Sequence, residues 1–288
     1  MSSTISVRPS TGMKRLTAAL GWTRSSYMLM SGFLMILFLL GYFWWPLAEE
    51  YLSYIDWQGE WWRTFDWLLV GIFLFMSLLI MSRADLRTDW QIVFVGMCGG
   101  LVIEGWGTQT SIWTYYTLER PPLWIIPAWP IASLAIDRMV RWLDQKLPVT
   151  QVADMRFQSS QFWQWSYWLV FLGFYALMLV FVWPTLDKSL TWMALFLVAF
   201  LILTPHDPRK AVLVFLAGAG LGYFLELWGT TRLCWTYYTL QTPPFFAVLA
   251  HGMAAVAFWR SVLLVELLGE IFLQRRQRRT SSECNKVF

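Results

Sequence analysis

The chain has 288 residues, 57% of them hydrophobic and 18% aromatic, with only 14% charged and a mean hydropathy of +0.48. Soluble domains carry about 25% charge, so an ordinary soluble domain is excluded. Lipid admits only helices and closed barrels, and runs such as 28–43 lack the alternation of barrel strands, which leaves an all-α polytopic membrane protein.

The net charge of +4 sits between apolar runs rather than on one soluble face. It therefore reads as a topology signal, with the lipid bilayer and no nucleic acid as partner. Three cysteines, Cys98, Cys234 and Cys284, form no disulfide framework. Two histidines, His206 and His251, cannot make a metal site alone, and neither a metal nor a cofactor is implied.

Residues 1–26 form a polar, basic segment expected in the cytoplasm. The apolar run 27–45 exceeds a usual signal core and has no small-residue cleavage site after it, so it reads as a retained first span. Eight spans are predicted in all: 27–45, 67–82, 89–106, 123–138, 165–183, 188–204, 210–228 and 245–260. The fourth and eighth start directly after Pro-Pro, where proline suits a first helical turn. Residues 143–164 are a cytoplasmic linker. Residues 261–288 continue the last helix as an apolar extension with Glu266 and Glu270, then a basic tail. That tail reads as a topology anchor, with polybasic lipid binding as the sharper alternative.

Of the 22 lysines and arginines, 18 fall on one set of connections and 4 on the other. The positive-inside rule then places both termini in the cytoplasm of a cell membrane, an inner membrane if the source is Gram-negative.

One stretch occurs twice. Glu104-Gly-Trp-Gly-Thr108, Trp113-Thr-Tyr-Tyr-Thr-Leu118 and Pro121-Pro122 return 122 residues later as Glu226-Leu-Trp-Gly-Thr230, Trp235-Thr-Tyr-Tyr-Thr-Leu240 and Pro243-Pro244. Of 19 columns, 12 are identical. Asp85/Arg87 with Asp207/Arg209, Gly96 with Gly218, Gly100 with Gly222, and Arg138 with Arg260 keep the same offset. The halves, 27–142 and 165–260, are therefore expected to be parallel four-helix repeats related by an axis along the membrane normal.

Gly96, Gly100 and Glu104 share one helix face, as do Gly218, Gly222 and Glu226. Small residues four apart admit a neighbouring helix, so each glutamate projects into a helix seam. An ionisable group at that depth points to function; the plainer reading is an acid that fixes the entry of the following loop. Trp106, Trp113, Tyr115, Tyr116, Trp228, Trp235, Tyr237 and Tyr238 lie at the outer interface, where such rings gather anyway. Their twice-kept spacing argues for more: a slot for a long apolar ligand, or ring faces that steady a cation. Gly107-Thr108 and Gly229-Thr230 are expected to turn the chain out of the helix. Trp129 aligns with His251; a lone histidine there is most simply a hydrogen-bonding helix partner, yet it could share a proton with a glutamate.

A glutamate near a helix end, then Gly-Thr, then an aromatic-x-Tyr cluster resembles the motif of the carotenoid-biosynthesis membrane proteins, which include carotenoid hydratases and membrane-embedded lycopene cyclases. The resemblance covers the two motif segments. It implies that Glu104 and Glu226 donate protons to a polyene double bond while the tryptophans and tyrosines shield a cation. The family motif has a second glycine shortly after Gly-Thr, where Ser111 and Leu233 stand here.

The leading expectation is acid–base chemistry on a membrane-dissolved isoprenoid or other lipid, with Glu104, Glu226 and His251 as catalytic residues. The named rings with Thr108, Thr230 and Trp129 would bind the hydrophobic substrate. The alternatives are a proton- or cation-coupled transporter with parallel repeats, and an accessory subunit that docks a membrane protein partner.

Overall fold

The protein is described by a computed structural model over residues 17–18, 20–147 and 153–284, with side chains described over 17–18, 20–147 and 160–271. Arg8, Lys14, Arg15, Pro148 and Lys286 lie outside the described residues, as do the side chains of the basic tail. The chain divides into two compact units, Met1–Asp89 and Trp90–Phe288.

In the first unit, α1 (Arg24–Phe43) starts at a capping box in which Thr23 accepts from the Ser26 N–H and Ser26 accepts from the Thr23 N–H. A short helix α2 (Trp45–Ser53) follows, then a single turn, then α3 (Trp67–Met81), which is capped by Asp66. The Thr23 hydroxyl donates to Ala84 O at 3.0 Å and Ser26 to Met81 O at 2.6 Å, which ties the start of α1 to the end of α3. Trp45, Trp57, Trp61, Trp62 and Trp67 are all exposed between these helices, as an interfacial aromatic belt requires.

Helix α4 (Leu86–Gln109) leads into strand β1 (Trp113–Tyr115). Then come α5 (Ala128–Lys146), α6 (Ala153–Val182), α7 (Ser189–Leu203), α8 (Pro208–Thr231), strand β2 (Trp235–Tyr237) and α9 (Phe245–Cys284). Asp207 caps α8 by accepting from the Lys210 N–H. Helix α8 is the most enclosed candidate span, packing on α9, α5 and α6. Phe171 and Phe174 of α6 meet Phe215 of α8, and Phe181 stacks on Phe246 of α9 at 4.2 Å. The outward faces remain apolar: Leu169, Phe196 and Leu216 are exposed, which suits contact with lipid.

Among the described residues, six helices are long and apolar enough to cross a membrane, so the chain is a helical multi-pass membrane protein. Helices α3 and α7, each of 15 residues, fall short; at 1.5 Å per residue they reach about 23 Å of a ~30 Å core.

The fourth span begins directly after Pro-Pro, as expected: the candidate span runs Leu123–Lys146 and opens with a 3₁₀ turn over Leu123–Ile125 before α5. Pro130 is tolerated only within a first helical turn, and starting α5 at Ala128 puts it there; the second copy has Gly252 at that place and its helix starts at Phe245. Two expectations need amendment. Of the expected linker 143–164, residues 143–146 end α5 and 153–164 begin α6, and 148–152 lie outside the described residues. The loops after α4 and α8 are not irregular, since each contributes a strand to an antiparallel pair.

Candidate functional site

Helices α4 and α8 stop in the same way. The Ile112 N–H donates to Gly107 O at 3.0 Å and the Ser111 N–H to Thr108 O at 3.3 Å; Cys234 and Leu233 repeat this with Gly229 and Thr230 at 2.9 and 3.3 Å. This is a Schellman end, which needs one left-handed residue, usually glycine. Ser111 (φ 60°) and Leu233 (φ 57°) occupy that place. The turn therefore comes three residues later than the sequence reading placed it, and Gly107 and Gly229 remain helical. Their role is space. A Cβ on Gly107 would lie 1.9 Å from Trp113 Cη2, and one on Gly229 2.0 Å from Trp235 Cη2. The Thr108 and Thr230 hydroxyls bond back to Glu104 O and Glu226 O, each at 2.6 Å.

The turn sends each strand back over the glutamate one helical turn below it. Glu104 Oε2 accepts from Trp113 Nε1 at 3.1 Å and from the Tyr115 hydroxyl at 2.9 Å, while Oε1 accepts from Trp129 Nε1 at 3.1 Å. Glu226 Oε2 accepts from Trp235 Nε1 at 2.9 Å and Oε1 from the Tyr237 hydroxyl at 2.9 Å. His251 Nε2 lies 2.9 Å from Glu226 Oε1, the donor being set by the ring's tautomer. Both glutamates are buried. The third partner reaches each cage because the glycine face lets the next helix approach. A Cβ on Gly100 would lie 2.3 Å from Trp129 Cγ, and one on Gly222 2.4 Å from His251 Cβ.

The two cages meet. Strands β1 and β2 pair antiparallel, centred on Thr114 opposite Thr236. Trp113 packs on Tyr237 and Tyr115 on Trp235, both at 5.8 Å between ring centroids, and Trp129 stacks on His251 at 5.7 Å and 18°. Rings thus line the region between the acids. Burial pushes the Tyr115 phenol well above its usual range, and the neighbouring Glu104 carboxylate pushes the same way. Tyr237 is raised likewise by burial and then by Glu226. Both phenols therefore stay protonated and serve as donors at neutral pH.

Trp106 and Trp228 form an outer layer, each edge-on to its cage tryptophan at 6.0 Å. Tyr116 and Tyr238 are not brought to the carboxylates. They follow the strands, half exposed, with the Tyr238 hydroxyl on Phe181 O at 2.6 Å. The sequence reading missed Trp124, which packs edge-on against Tyr115 at 5.5 Å. Its signal was present, since Trp124 aligns with Phe246 and both places are aromatic. The Trp106 and Trp124 indole nitrogens are buried with no acceptor among the described residues.

Comparison with family models, curated proteins and solved structures finds no match.

Proposed function

We propose that the chain is a membrane enzyme doing acid–base chemistry on a membrane-dissolved isoprenoid or other lipid. It would have eight spans in two parallel four-helix repeats, with both termini cytoplasmic. The matched bounds of α3 with α7, of α4 with α8 and of β1 with β2, each pair 122 residues apart, support the repeats. The 18-to-4 split of basic residues supports the orientation.

The observation that carries the chemistry is two buried carboxylates, one paired with a histidine, facing a single cluster of aromatic rings. Proton transfer from a carboxyl to an alkene breaks the acid O–H, forms a C–H and leaves a carbocation. Ring faces stabilise such a charge by ~0.5–2 kcal/mol each, and a positioned acid or base contributes about 10²–10⁴-fold in rate. The carbocation ends by losing a proton to the carboxylate, or by forming a C–O bond to water as that water gives a proton to the carboxylate. The unpartnered indole N–H groups of Trp106 and Trp124 could hold a polar end of the substrate.

A second reading has its own support. The three partners of each carboxylate come from the strand and helix that follow it, so each carboxylate can also be read as a latch that holds its own strand and helix in place. The test is isotopic. Membranes carrying the protein, incubated in D₂O with an isoprenoid extract, should gain non-exchangeable deuterium in a lipid product, and Glu226→Gln membranes should not. Equal isotope content in both leaves only the latch.

A further inference from the structure

The two cages share every donor type but one. Trp113 and Tyr115 correspond to Trp235 and Tyr237, whereas Trp129 of the first cage is replaced by His251 in the second. The exchange changes what the carboxylate can do. An indole N–H only donates, so the Glu104 oxygen facing Trp129 must accept. An imidazole nitrogen donates or accepts, so the Glu226 oxygen facing His251 can accept a proton or carry one. The first cage has no group that can take a proton from its acid on that side. The second has one, and it is the more exposed member of the pair: the His251 side chain is 20% exposed while that of Glu226 is 4% exposed.

We infer that Glu226 and His251 are the chain's proton-exchanging pair, and that Glu104 is a positioning acceptor whose cage braces the stack from the other side. The inference deepens the acid–base reading proposed above and rests on it for its catalytic meaning. The exchange balances within the pair, the Oε1–H bond breaking as the Nε2–H bond forms. The titratable groups facing the pair are Tyr237 on β2, Tyr115 on β1 through its contact with Trp235, and Glu104 on α4, whose donor Trp129 stacks on the imidazole. Gly100 and Gly222 seat the two rings in the same way, each packed closely against its glycine, so the two places can be compared by exchange.

The experiment uses the full chain in detergent. Infrared difference spectra between H₂O and D₂O at neutral pH are recorded for wild type, Glu226→Gln, His251→Trp and Trp129→His, together with conversion of an isoprenoid extract. The expected result is an exchange-sensitive carboxyl band that Glu226→Gln and His251→Trp both abolish. Trp129→His should add a second such band, because Glu104 then gains an imidazole. Conversion should fall about 100-fold or more in His251→Trp. A wild-type band that survives Glu226→Gln, a band that survives His251→Trp, or a Trp129→His spectrum identical to wild type overturns the inference. The expected spectra without any conversion sustain the pair and defeat the enzyme reading; conversion that persists in His251→Trp defeats the pair and leaves the enzyme reading standing.

Discussion

The cage around Glu104 and the cage around Glu226 are built alike and tuned differently. Each hangs on a Schellman end, a helical glycine under a tryptophan ring, and a strand carrying Trp-Thr-Tyr. They part at one ring, Trp129 against His251, and with it at the number of obligate donors around the acid. Shape is thus set by residues that both copies keep, while the hydrogen-bond polarity around the acid is set by the one they do not. Substitutions at shared residues should act equally in the two halves, and substitutions that probe hydrogen-bond polarity should act unequally.

The largest expected effect is at the shared glycines. A methyl on Gly107 or Gly229 would meet a buried indole at 1.9 or 2.0 Å, and overpacking of this kind costs about 3 kcal/mol. Gly107→Ala and Gly229→Ala should lower thermal stability in detergent by similar amounts; a cost confined to one copy would break the likeness of the cages.

Next comes the polarity test. In Glu104→Gln the amide NH₂ must face at least one indole N–H, since both carboxylate oxygens accept from tryptophan. In Glu226→Gln the amide oxygen can take the Trp235 N–H while the NH₂ faces Tyr237 and His251, each able to accept. A buried unsatisfied donor costs about 1–3 kcal/mol, so Glu104→Gln should be the less stable variant by about 2 kcal/mol. Equal unfolding midpoints would contradict this.

Smaller gains are expected at the turns. A left-handed non-glycine residue costs roughly 1–2 kcal/mol, part of which glycine gives back as chain entropy. Ser111→Gly and Leu233→Gly should each stabilise by about 1 kcal/mol, read as a raised unfolding midpoint. The smallest effect at neutral pH concerns the phenols. Tyr115 and Tyr237 are raised when folded, so their contribution is intact below the unfolded value of about 10 and is lost as pH climbs beyond it. Tyrosinate absorbance of Tyr115→Phe and Tyr237→Phe should show two late-ionising phenols missing from an otherwise unchanged titration.

Helical membrane character was legible in composition, and the glycine faces of α4 and α8 in spacing alone, because both follow from periodicity and residue size. The acids were legible too, as costly groups repeated in apolar runs. What filled their surroundings was not. Nothing in a single sequence says that Trp113 and Tyr115 fold back onto Glu104, because that depends on Ser111 taking a conformation its side chain disfavours. Nor does sequence show that Trp129 and His251, aligned as equivalents, would lie face to face. That contact arises only when two copies of the motif are brought together.

The most direct test compares the membrane lipids of cells carrying wild-type protein, no protein, and Glu226→Gln. The account predicts that one isoprenoid or related lipid accumulates equally in the last two and disappears when wild-type protein is restored. Identical lipid profiles in all three, with the Glu226→Gln protein folded and present in the membrane, would contradict it.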